Sequence, residues 1–107
     1  MTYQSLFVEE HPNRDSATAR CGDGGPQTDA PVFCWLEARA WPASALVFAR
    51  EHNLHTGYVD NCWLLVALDA QTLREFLNAG REVDGNVPAI LDRVNDHHWY
   101  VINEEEF

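Results

Sequence analysis

Lysine is missing altogether. The 7 basic residues of this 107-residue chain are all arginine, against 17 acids, for a formal net charge of −10. Phosphate-backbone recognition needs clustered Lys or Arg, and the chain has no such cluster, which disfavours DNA or RNA as a direct ligand. Anionic membrane surfaces are repelled for the same reason. No window approaches the roughly 18 uninterrupted apolar residues of a membrane-spanning helix. The N-terminal segment has neither a basic stretch nor a sustained apolar one, so no secretory signal is expected. Cysteine is scarce and odd in number (Cys21, Cys34, Cys62). Three thiols cannot pair completely within one chain, and reduced thiols in a cytoplasm are the simplest expectation.

What is present suffices for a core. The apolar fraction is 46%, with four tryptophans. A chain of this size buries roughly two-thirds of its unfolded surface on folding. One domain spanning residues 1–107 is expected, with no internal repeat.

Residues 3–8 read as a first strand. From His11 to Pro31 the sequence is rich in Gly, Pro, Asp, Ser and Thr and carries almost no large apolar side chain. It reads as a long polar loop, functional or disordered. Val32–Arg39 alternates as a second strand, with Val32, Cys34, Leu36 and Ala38 on one face and Phe33, Trp35, Glu37 and Arg39 on the other. Trp41-Pro42 punctuates before a helix over Ala43–His52, and Asn53 and Gly57 mark its stop and turn. Cys62–Leu68 is apolar on both faces and reads as a central strand. Asp69 is placed to cap a helix carrying Leu73, Phe76 and Leu77, with Gly80 just past its end. A turn at Asp84-Gly85-Asn86 leads to a helix marked by Val87, Ile90, Leu91 and Val94. His98–Ile102 forms the last strand, before an acidic tail.

The predicted class is α+β: a small mixed sheet of about four strands and about three helices, in the order β-loop-β-α-β-α-α-β. Cys62–Leu68 is expected at its centre, between Val32–Arg39 and His98–Ile102.

Chemistry-bearing residues are few. His52 and His55 are spaced i, i+3, and His97 and His98 adjoin. An HxxH spacing alone does not specify zinc, so neither metal nor cofactor is expected. Arg20-Cys21-Gly22-Asp23-Gly24-Gly25-Pro26 lacks the Lys and Ser/Thr of a phosphate-binding loop. Cys21 would need a basic neighbour to become a nucleophile; Cys34 and Cys62 suit a core. No paired-carboxylate, Ser-His-Asp or dinucleotide signature stands in the linear order, so an enzyme is not expected. The alternative is a small metal-binding or thiol/His enzyme domain built on His52, His55, His97, His98 and Cys21.

Charge offers the sharper reading. Residues 70–107 hold eight acids against three arginines. Glu75, Glu82, Asp84, Asp92, Asp96, Glu104, Glu105 and Glu106, together with Glu37, Trp35 and Trp41, are the candidate partner-binding residues. Carboxylates steer association with a cationic surface, and Trp is a typical anchor. Trp63 and Trp99 suit the core instead. The expected function is that of a non-enzymatic acidic binding protein that inhibits or regulates a basic, nucleic-acid-handling protein, imitating the phosphates of a nucleic acid or plugging a nuclease. In class, though by no shared motif, the chain resembles toxin-immunity proteins and phage-encoded inhibitors of host defence nucleases. Self-association is a further possibility the composition allows.

Overall fold

A computed structural model describes residues 5–23, 30–38, 41–42, 44–59 and 63–105. It has five strands and four helices: β1 (Leu6–His11), α1 (Arg14–Asp23), β2 (Val32–Leu36), α2 (Ala45–His52), β3 (His55–Val59), β4 (Trp63–Asp69), α3 (Ala70–Ala79), α4 (Val87–Arg93) and β5 (Trp99–Glu105). The strands form one sheet in the order β2-β1-β5-β4-β3.

The α+β class holds, with three corrections to the topology. Every pairing is antiparallel, so the sheet is not mixed. The centre belongs to β5, which β1 and β4 flank, while β2 lies at one edge. Finally, β5 runs on to Glu105, so two of the tail's acids sit in the ladder opposite Trp63 and Leu64. The doubly apolar pattern of β4 remains correct: Leu64 through Leu68 are all buried. The first residue expected of that strand, Cys62, lies outside the described residues.

Helices cover both faces. On one, α2, α3 and α4 pack over a large cluster that includes Leu6, Val8, Leu64, Val66, Leu68, Leu73, Phe76, Leu77 and Ile102. Each such side chain fully buried contributes about 1.5–3 kcal/mol relative to exposure. α3 starts as expected, with the Asp69 carboxylate accepting the Thr72 N–H. α2 starts later than proline placement suggested: Ser44 is its cap, accepting the Val47 N–H, and Asn53 ends it in the left-handed region at φ 54°. That single residue turns the chain, which leaves Gly57 free to lie inside β3 rather than in a turn.

The other face carries α1, where a loop was expected. Ala17 and Cys21, four residues apart, turn one helical side onto Leu65, Ala67 and Val101. The Asn13 carboxamide accepts the Ser16 N–H and closes the first turn. Small side chains hide this helix from a hydropathy reading because its anchoring comes from close approach. A Cβ at Gly57 would collide with the backbone of Cys21, so β3 and α1 meet nearly backbone to backbone. Trp63 and Trp99 are half-buried at the margins of this smaller cluster rather than within the main core.

Candidate functional site

The sheet face that carries α1 also displays aromatic rings. β1 and β2 pair Phe7 with Trp35, and their ring centroids stand 4.7 Å apart. Phe7 also meets Trp63 edge-on at 5.6 Å. The row Trp35–Phe7–Trp63 thus reaches from β2 to β4, and Trp35 is 61% exposed on the edge strand. Alternation decides this: Cys34 and Leu36 point into the core, so Trp35 points out. Val32 and Phe33 break the expected alternation, because the β1–β2 register shifts opposite Val8 and Glu9: Val32 is exposed and Phe33 packs against the main core.

The predicted partner-binding residues divide by environment. Glu37, Glu82 and Asp92 are exposed, and none has a cation within ion-pairing distance among the described residues. Glu75 is exposed but faces His52 Nε2 at 3.1 Å. Asp96 pairs with Arg74. Glu105 is half-buried opposite Trp63. Glu106 lies outside the described residues.

Three of the predicted residues have other work. Asp84 is only 3% exposed, and its carboxylate accepts the N–H groups of Glu37 (3.3 Å) and Asn86 (2.9 Å). That carboxylate holds the turn before α4 against the end of β2, and it is withdrawn from the surface. Glu104 is half-buried and accepts the Ala45 N–H at the start of α2 (3.0 Å), where negative charge complements the helix dipole. Trp41 stacks on Phe76 with centroids 5.4 Å apart and lies against Gly80, where a Cβ would strike its ring. It is a packing residue. Gly80 itself has φ −100°, so its missing Cβ makes room for the indole and is not needed for a left-handed cap.

The histidines do not converge on a metal-binding set. Among the described residues, no group of three or more His, Cys, Asp and Glu could hold a metal ion. His52 stacks on Phe48, with Nδ1 3.0 Å from the Phe48 carbonyl; His55 is exposed on the edge strand β3. Cys21 is buried, and its thiol is pushed up to about 12 by desolvation, which Arg20 only partly opposes. Cys34 is likewise raised to about 12 by burial. Thiols held protonated in this way are poor nucleophiles.

A polar cluster that the linear reading missed sits beneath α1. Glu9 is 1% exposed and His11 4%. Glu9 Oε1 is 3.2 Å from His11 Nε2. Arg20 Nε donates to both Glu9 oxygens at 3.3 Å, and His11 Nδ1 is 2.8 Å from Ser16 Oγ. Two periodicities assemble it: Glu9 and His11 share one strand face (i, i+2), while Ser16 and Arg20 share one helix face (i, i+4). The signal was readable only after residues 14–23 had been recognised as a helix.

No protein-family model, curated protein or solved structure matches the chain.

Proposed function

We propose that this chain is an acidic docking protein that binds a basic, nucleic-acid-handling protein and thereby inhibits or regulates it, the role filled by immunity proteins and phage anti-defence proteins. The observation that carries the reading is the exposed Trp35 in its row with Phe7 and Trp63, on a chain of net charge −10. Tryptophan in the middle of an interface supplies a large apolar area, and its ring face attracts guanidinium and ammonium groups. The net negative charge of the chain speeds encounter with a cationic surface and rejects acidic competitors. Glu37, Glu82 and Asp92 are the carboxylates best suited to that steering, since among the described residues none has a cation within ion-pairing distance.

Affinity capture at low ionic strength, with identification of the retained proteins and titration of each purified candidate, tests the proposal. A basic partner is expected whose affinity falls about 30-fold, equivalent to about 2 kcal/mol, in Trp35→Ala. The combined variant Glu37→Gln, Glu82→Gln, Asp92→Asn is expected to slow association and flatten its salt dependence. Retention of no basic protein, or binding indifferent to both salt and Trp35, sinks the reading.

A further inference from the structure

The Glu9–His11–Ser16 cluster has the hydrogen-bonding order of a nucleophile, a base and an orienting acid. An ionised Glu9 carboxylate can only accept hydrogen bonds. The ring nitrogen facing it, His11 Nε2 at 3.2 Å, therefore carries the hydrogen. In the neutral ring this leaves the lone pair on Nδ1, directed at Ser16 Oγ 2.8 Å away, so the serine hydroxyl is the donor. A hydroxyl donating to an imidazole whose other nitrogen is pinned by a carboxylate is the arrangement that activates serine for attack. Arg20 holds both oxygens of Glu9 and fixes the carboxylate's rotation.

Burial is distributed to match. The base and the acid are sheltered at 4% and 1% exposure, while Ser16 is half-exposed in the first turn of α1. In that same turn, among the described residues, the backbone N–H groups of Arg14 and Asp15 have no hydrogen-bond acceptor. N–H groups of this kind, left over at every helix start, favour negative charge nearby.

We propose that Ser16 is a catalytic nucleophile, with His11 as its general base and Glu9 as a positioning residue, and that it accepts the acyl group of a small ester or thioester. Ser16 Oγ bonds to the acyl carbon as its proton passes to His11 Nδ1. The carbon–leaving-group bond then breaks, and the departing alkoxide or thiolate takes that proton, leaving acyl-Ser16. Water repeats the sequence: its proton goes to Nδ1, its oxygen bonds to the acyl carbon, and Ser16 Oγ leaves with the proton. None of these residues belongs to the aromatic row, so this site and the docking surface can fail independently.

The test uses the full chain with two probes, a fluorophosphonate and p-nitrophenyl acetate. Cleavage after Arg14 and Arg20 isolates a peptide in which Ser16 is the sole serine, so an adduct is located directly by mass spectrometry. One phosphonyl adduct on that serine and a burst of p-nitrophenol are expected, both abolished in Ser16→Ala. His11→Gln is expected to slow acylation at least about 100-fold, the usual worth of a general base. Because removing a buried His can unfold the chain, the pH profile of the unmutated protein provides the second readout. Acylation must fall as acid protonates an imidazole, since imidazolium cannot accept the serine proton. Labelling of Ser16 no faster than that of Ser44, or a rate indifferent to pH, overturns the proposal.

Discussion

Removing one member of the Glu9 cluster costs more than its contact is worth, because the remaining carboxylate stays buried. Arg20→Leu leaves Glu9 at 1% exposure without its guanidinium, and a loss of about 3–5 kcal/mol is expected. Urea denaturation checks it; a loss below about 1 kcal/mol would mean that Glu9 is reached by water or takes up a proton. The two thiols yield a prediction of the opposite chemical kind. The pKa values of Cys21 and Cys34 rise from 9.0 to about 12 on folding, so between those limits the native state keeps protons that the unfolded chain has released. Stability is then full below pH 9 and declines as pH climbs toward 12, by about 1.4 kcal/mol per pH unit for each thiol. Tyr100, raised to about 12 by burial, acts in the same direction. The urea midpoint should drop between about pH 8 and about pH 10, and drop less in Cys34→Ala. A midpoint that stays level contradicts the burial of both thiols.

Between elements, close approach decides more than hydropathy. Gly57→Ala forces β3 off the Cys21 backbone and should cost about 1–3 kcal/mol. Gly85→Ala, whose new Cβ meets nothing within 4 Å, should change stability by less than about 1 kcal/mol. Thermal melts of the two variants together test whether α1 sits flush on the sheet. α3 and α4 were legible from sequence because Leu73, Phe76, Leu77, Val87 and Ile90 repeat with helical spacing and carry enough apolar area to fix both helices. α1 was illegible for the converse reason. Its sheet-facing residues are Ala17 and Cys21, too small to register as an apolar stripe. β3 was missed because its glycine imitates a turn signal, although Asn53 alone makes the turn.

For the molecule as a whole, a charge of −10 on 107 residues means self-repulsion that salt relieves. Melting temperature should therefore rise when ionic strength goes from about 0.01 M to about 0.15 M, over which the Debye length shrinks from about 30 to about 8 Å. A melting temperature unmoved by salt would mean that the carboxylates lie too far apart to repel. Composition and order sufficed for the α+β class, the buried β4, the N-cap of α3 and the acidity, because propensity, periodicity and charge are local or additive properties. Partnership is neither. Which strand became central, and which carboxylates turned inward at Asp84 and Glu104, depended on contacts between elements far apart in the chain. The same holds for Glu9, His11, Ser16 and Arg20: each has an ordinary local context, and only the crossing of a strand face by a helix face places their polar atoms within hydrogen-bonding distance.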